Sequence, residues 1–493
     1  MLKTNNNNQS KIELFNNPMA FFVYVSKPQK WWAVGAIVVV SIASAASMGT
    51  NYFFKLIVDA VEVNNVNLVL WYALAYPLSV FLVETLYRFS AFFGRKWAVN
   101  ARKYTYDQLT EYTLGHSHSY FINRFAGSVY SKISNVVSGV DQLIPDILWT
   151  HVNSLVAFLV TFVFIWQASL FAGITFIFLI VVLFALNKKM APKKALYSRA
   201  NADMQTELSG KIIDVFTNIQ AVRQYSQQKT EQKQVEEVTD RYRNTHYTNW
   251  GYTEKMLFWN GFVLFLFSLV MFSFLTQSWK AGEMGTGDFV LIISLYAQIT
   301  GTLIFIGRAF NSTAQAIGEM GEGLQDIFVP HEIVDTPLAK PLTVTNASID
   351  WQKVSFLFDT QPVFVDFNLH IPAGQRLGLV GQSGAGKTTF VSLLLRQHEV
   401  AVGSICIDGQ NIATVTQDSL RKAIAVVPQE PALFHRTIRE NILYGKPEAT
   451  EDELIEVAKK AQAYDFIMEL SEGFDTMVGE REESSFLVAK NNV

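Results

Sequence analysis

Arg376-Leu-Gly-Leu-Val-Gly381-Gln382-Ser383-Gly384-Ala385-Gly386-Lys387-Thr388-Thr389-Phe390-Val-Ser-Leu-Leu-Leu395 decides the fold of the C-terminal part of this chain. An apolar run reads as a strand, then G-x-x-x-x-G-K-T, then an apolar run that reads as a helix. Glycines let a backbone wrap around an anion and turn successive N–H groups inward. The N-terminus of the following helix adds partial positive charge. A lysine at position 387 reaches the outer phosphates of a nucleoside triphosphate, and the Thr388 hydroxyl is placed to ligate Mg²⁺. The loop residues Gly381, Gln382, Ser383, Gly384, Ala385 and Gly386, with Lys387, Thr388 and Thr389, are therefore the candidate nucleotide site. An ordinary glycine-rich strand-to-helix turn is the bland alternative. It explains neither the Lys-Thr pair nor the spacing.

Around this motif the texture is that of a soluble α/β domain. Short β-rich runs at 348–358, 364–371 and 376–380 are separated by turns. Upstream, at 331–347, two prolines and a threonine cluster read as a linker. Everything before that differs. The 493 residues are half hydrophobic, only 17% are charged, and the mean hydropathy is +0.18. Soluble proteins carry about 25% charged residues, so part of the chain is expected in lipid. Lys and Arg (40) nearly balance Asp and Glu (43). That leaves no cationic excess for nucleic acid. A single cysteine, Cys406, excludes an intrachain disulfide and a cysteine metal cluster.

Six apolar stretches, 33–58, 67–89, 143–166, 170–186, 256–275 and 289–310, approach or exceed the roughly 20 residues that cross a hydrocarbon core. The second carries Glu84 and Arg88, and the third carries His151. Intramembrane ionisable groups mark either a substrate path or a structural pair. Loops between spans alternate in length. The long ones hold Arg95, Lys96, Arg102, Lys103, Lys188, Lys189, Lys193, Lys194 and Arg199, which places them on the cytoplasmic side. Trp31, Trp32, Trp71, Trp166 and Trp279 stand near span ends as interfacial anchors. Leu208, Ile212, Val215, Phe216 and Ile219 repeat at helical spacing, so the spans should continue as helices into the cytoplasm. His116 and His118 fall in a polar loop and read as solvated. The histidines show no metal-ligand spacing.

Six spans, long helical loops and a P-loop domain in one chain resemble an exporter-type ABC half-transporter. Further stretches carry the resemblance. Val427-Pro428-Gln429-Glu430-Pro431-Ala432-Leu433-Phe434 is similar to the Q-loop, and Thr437-Ile438-Arg439-Glu440-Asn441-Ile442 to the segment after it. Gly403-Ser404-Ile405-Cys406-Ile407-Asp408-Gly409 resembles the family's β-hairpin, and residues 473–481 the end of its helical subdomain. The resemblance implies a six-helix transmembrane bundle with long cytoplasmic extensions, followed by an incomplete α/β P-loop domain. It implies ATP and Mg²⁺ as cofactors. Gln429 joins Thr388 near the metal, and Phe358 stands where an aromatic, usually tyrosine, stacks on adenine. A strand residue packed in the core is the alternative for Phe358. The segments near 121–131 and 209–218 correspond to coupling helices.

The resemblance divides the chain into a cytoplasmic N-terminal segment (1–30), a transmembrane domain (31–330), a linker (331–347), a partial nucleotide domain (348–481) and an aberrant tail (482–493). These residues contain no LSGGQ signature and no apolar strand ending in Asp-Glu. The expectation is a truncated or frameshifted transporter that binds ATP, with no catalytic residue assigned and hydrolysis doubtful. The implied partners are a second half-transporter, the bilayer, and a lipid, drug-like or other amphipathic substrate. The implied location is the bacterial plasma membrane, with the N-terminus and nucleotide domain cytoplasmic. A non-catalytic ATP-binding subunit, or a non-functional fragment, is the alternative. A membrane-anchored GTPase would need Asn-Lys-x-Asp; Asn187-Lys188-Lys189-Met190 does not supply it.

Overall fold

The computed structural model describes residues 15, 17–122, 124–358, 361–382, 384–428 and 433–479, apart from the side chains of 303–309 and 311. It divides into a helical unit, Met1–Glu332, and a second unit, Ile333–Val493.

The helical unit begins earlier than its polar N-terminal composition implies. Helix α1 (Pro18–Ser26) is capped by the Asn17 side chain, which accepts from the N–H groups of Met19 and Ala20. It buries Phe21, Phe22 and Val25. Then come α2 (Lys30–Gly49), α3 (Tyr52–Glu62), α4 (Val66–Leu114), the short α5 (His118–Ile122) and α6 (Ala126–Pro145). A π-helical turn, Asp146–Val152, joins α6 to α7 (Asn153–Ala168). The unit ends with α8 (Leu170–Thr217), α9 (Ile219–Gln224), α10 (Gln228–Lys280) and α11 (Thr286–Ile327). Five helical stretches among the described residues are long and apolar enough to cross a membrane: Pro18–Glu62, Val66–Leu114, Ala126–Ala168, Leu170–Thr217 and Gln228–Lys280. The remaining expected span falls within α11.

The 49 residues of α4 rise about 70 Å, roughly twice a hydrocarbon core. Such helices must continue into water, and their pairing there needs polar specificity. Along α8 and α10 it is supplied in steps. Asn187 donates to Asn260 (3.0 Å), and Lys194 to Asn249 Oδ1 and Thr253 Oγ1 (2.7 Å each). Asn201 meets His246 (3.1 Å), Arg241 pairs with Glu207 (2.5 Å), and Lys211 with Glu231 (3.3 Å). Each pair fixes the same register.

Two sequence readings of lone groups resolve here. Arg88 and Glu84 do pair, at 3.4 Å, on an exposed helix surface. His151 donates to or accepts from Thr313 Oγ1 across to α11 (3.0 Å). His116 is not a solvated loop residue. Its ring stacks on Tyr120 at 3.9 Å, and its Nε2 lies 2.9 Å from the Ile327 carbonyl, because the α4–α5 turn folds against the end of α11.

The second unit holds a four-stranded antiparallel sheet, β2-β1-β3-β4, from β1 (Ile349–Phe358), β2 (Gln361–Ile371), β3 (Val402–Ile407) and β4 (Gln410–Asn411). Helix α12 (Lys387–Leu394) packs on it, its Phe390 stacked on Trp351 at 4.3 Å and 10°. Helix α13 (Gln417–Ala423) follows β4. A separate apolar cluster around Ile438, Leu454, Ile467 and Phe474 gathers α14 (Ile438–Leu443), α15 (Glu451–Lys460) and α16 (Tyr464–Met468).

One expected strand is not formed. Residues 376–380 join no ladder among the described residues, and Val380 is 95% exposed. A strand exists only through its neighbours' hydrogen bonds. Here no described strand lies alongside. The segment expected as a linker is bonded along its length to the second unit. Asp335 pairs with the buried Arg396 (3.2 Å) and accepts from the Gln417 N–H; Lys340 bridges to Val415; Leu342 N–H donates to Ser419. The N–H groups of Thr345, Asn346, Ala347 and Ser348 all point at the Asp408 carboxylate. This nest holds Asp408 well below the usual carboxylate range. Residues 333–348 are a strap fastened to the second unit.

Candidate nucleotide-binding site

The glycine loop is shaped as the sequence requires. Gly384 and Gly386 have φ of +86° and +84°, a region that side chains avoid. Gly386 caps α12, with Lys387 as the first helical residue. A Cβ at Gly386 would lie 3.0 Å from Val363 Cγ1, so β2 presses on the loop from behind. Gly381, Gln382, Gly384, Ala385 and Thr388 are exposed. The first turn of any helix leaves its N–H groups without intrahelical acceptors. In α12 these belong to Lys387, Thr388 and Thr389.

Lys387 Nζ donates to the carbonyls of Gly381 and Gln382, both at 2.8 Å. The ammonium is thereby folded over the loop, with a third proton left for a ligand oxygen. The Phe390–Trp351 stack and fully buried Leu393 fix the helix beneath it. Cationic side chain, outward N–H groups and an open loop fit a polyphosphate and Mg²⁺.

Phe358 ends β1, paired with Gln361 at the start of β2. Phe358 is 45% exposed, so it is not a core residue. The β1–β2 hairpin thus carries this ring at its tip and braces Gly386 a few residues on. Ser383 and Gln429 lie outside the described residues. The segment after Gln429 is tied down: Asn441 accepts from Phe434 N–H (2.9 Å) and donates to the carbonyls of Phe434 and Thr437 (both 3.0 Å). Thr437 and Glu440 form a capping box on α14, and the Thr437 donors hold the Glu440 carboxyl below its ordinary value.

Sequence reasoning gave no role to Arg396, Asp335, Asp408 or His398. Arg396 had one legible signal, a charge directly after an apolar helix. Its burial to 3% exposure depends on three separated segments.

An apolar helical unit joined to a unit with a glycine-loop phosphate site defines a membrane protein with a nucleotide-binding domain. The family profile described as ABC transporter transmembrane region matches residues 34–303, and that described as ABC transporter matches 364–483. The first alone covers more than half of the sequence. The chain belongs to the ABC transporter family, with the half-transporter arrangement of one membrane region and one ABC domain.

An uncharacterized ABC transporter ATP-binding protein of Haemophilus influenzae is 32% identical over 376 residues, 75% of this chain and 61% of that protein. The mitochondrial iron-sulfur clusters transporter ABCB7 of Homo sapiens is 39% identical over 209 residues, 42% of this chain and 28% of its own length. An ATM1-type heavy metal exporter of Novosphingobium aromaticivorans is 25% identical over 455 residues, 91% of this chain and 75% of that one. The matched part therefore spans less than two thirds of the first two relatives. A solved structure of a bacterial Atm1-family ABC exporter with ATP bound superposes with a TM-score of 0.81 at 24% identity, covering 92% of this chain and 80% of that one. This establishes the fold. The expected lipid or drug-like cargo is not what these relatives are named for; two carry iron–sulfur clusters or heavy metals in their names.

Proposed function

We propose that this chain binds Mg·ATP at the glycine loop and serves, paired with a second half-transporter, in ATP-driven export across a bacterial inner membrane. The observation that carries the reading is the Lys387 ammonium poised over a left-handed glycine loop at the start of α12. In this reading the loop N–H groups and Lys387 hold the phosphates. Thr388 holds the metal ion, which neutralises phosphate charge when bound. Gln429 adds a second metal contact. Phe358 offers its ring face to the base. Nucleotide binding favours one arrangement of the helical unit over another, which is all a ligand can do to an equilibrium.

For the cargo, the names of the relatives favour a metal-bearing complex over a lipid. The test of binding is direct. Purified protein in detergent should retain Mg·ATP, and Lys387→Ala should weaken it by about ten- to hundredfold, the worth of a charge-assisted phosphate contact. Equal affinity in wild type and variant would refute the site. Uptake of heavy-metal complexes against amphipathic dyes by inside-out vesicles separates the cargo classes.

A further inference from the structure

We propose that His398 is a positioning residue for nucleotide recognition, holding the Phe358 ring edge-to-face so that it presents a fixed face to adenine. The proposal rests on the ATP-binding reading and extends it to a residue outside the glycine loop.

Phe358 carries a bare ring. The resemblance places tyrosine here, and phenylalanine has no hydroxyl with which to anchor itself. A ring at a strand end that is half-exposed turns about two bonds, and ordering it on binding opposes affinity. Something else must fix it. The structure places two rings against it, both nearly perpendicular. Phe356 lies at 4.9 Å and 85°, and His398 at 5.3 Å and 86°. Phe356 and His398 also touch, at 5.6 Å, so the three rings close a triangle. Perpendicular aromatic pairs at this spacing are attractive beyond simple burial. Phe356 is buried in the sheet and supplies the fixed corner.

His398 is itself held by the chain that leads to it. Helix α12 ends at Leu394, and Arg396 then turns the backbone through φ +50°. That strained turn is kept by the buried guanidinium, which bonds Asp335, Glu399 and the Val415 carbonyl. The helix whose first residue is Lys387 therefore delivers His398 beside the base ring at its far end. Lys387 at one end of α12 and the Phe358–His398 contact are thus linked through α12 and the turn that follows it.

The experiment compares Mg·ATP with inorganic triphosphate on the full-length detergent-purified protein. Wild type should bind both. His398→Leu keeps the apolar volume and removes the ring; it should weaken ATP about three- to tenfold while leaving triphosphate within about twofold. His398→Phe should restore ATP binding to within about twofold of wild type. The proposal is overturned if His398→Leu binds ATP like wild type, if it loses triphosphate in equal measure, or if His398→Phe fails to restore ATP. Failure of wild type to bind either ligand would instead overturn the ATP-binding reading, and this proposal with it.

Discussion

Asp335→Ala isolates the fastening of the strap. In the structure Asp335 accepts from Arg396 Nη1 at 3.2 Å and from the Gln417 N–H and side-chain amide at 3.2 and 3.1 Å. Arg396 keeps Glu399 and two carbonyls, Val415 and Val334, so its charge is not orphaned. A hydrogen bond to a charged group is worth about 1.5–3 kcal/mol. Asp335 is about one third exposed, so screening favours the lower end. A local loss near 1.5 kcal/mol is about tenfold in an opening equilibrium. The assay is hydrogen exchange with mass spectrometry on the intact protein. Peptides covering 333–348 should exchange about tenfold faster, whereas the polar α8–α10 pair should be unchanged. Exchange within twofold of wild type across 333–348 would show that the strap is not held by this carboxylate. Asp335→Asn, which keeps the acceptor and drops the charge, should fall between.

Two other perturbations probe the same unit. Gly386→Ala forces a side chain into φ +84° and toward Val363; it should cost about 1–2 kcal/mol and weaken Mg·ATP in parallel, read by a thermal melt and a binding isotherm. Asp408 has its pKa lowered in the folded state, so its contribution is complete above the unfolded value near 4 and is lost as pH falls through the folded one. Asp408→Asn should therefore be less stable at neutral pH and show a shallower decline below about pH 4. Cys406, the chain's lone and buried thiol two residues away, reports the opening when labelled with a dipyridyl disulfide, which reacts in acid.

Local order carried much of the information. A phosphate loop is a contiguous device, so Gly381 to Thr389 could be read in the sequence with their spacing intact. Apolar spans are contiguous too, and helices satisfy their own backbone groups, so long helices followed from composition alone. Sheets are different. The run 376–380 has strand composition yet joins no ladder among the described residues, because a strand needs neighbours brought from elsewhere in the chain. The polar text at 331–347 read as a loose tether; it is a strap because Arg396, Gln417 and Asp408 arrive from segments 60 to 82 residues away. His116 looked solvated until the end of α11 closed over it. From the sequence alone came the glycine loop at the start of α12 and the long apolar helices, because each is contiguous in the chain. Tertiary structure alone decided the strap and the ring triangle around Phe358, since charge pairing and ring packing depend on distances that sequence separation does not set.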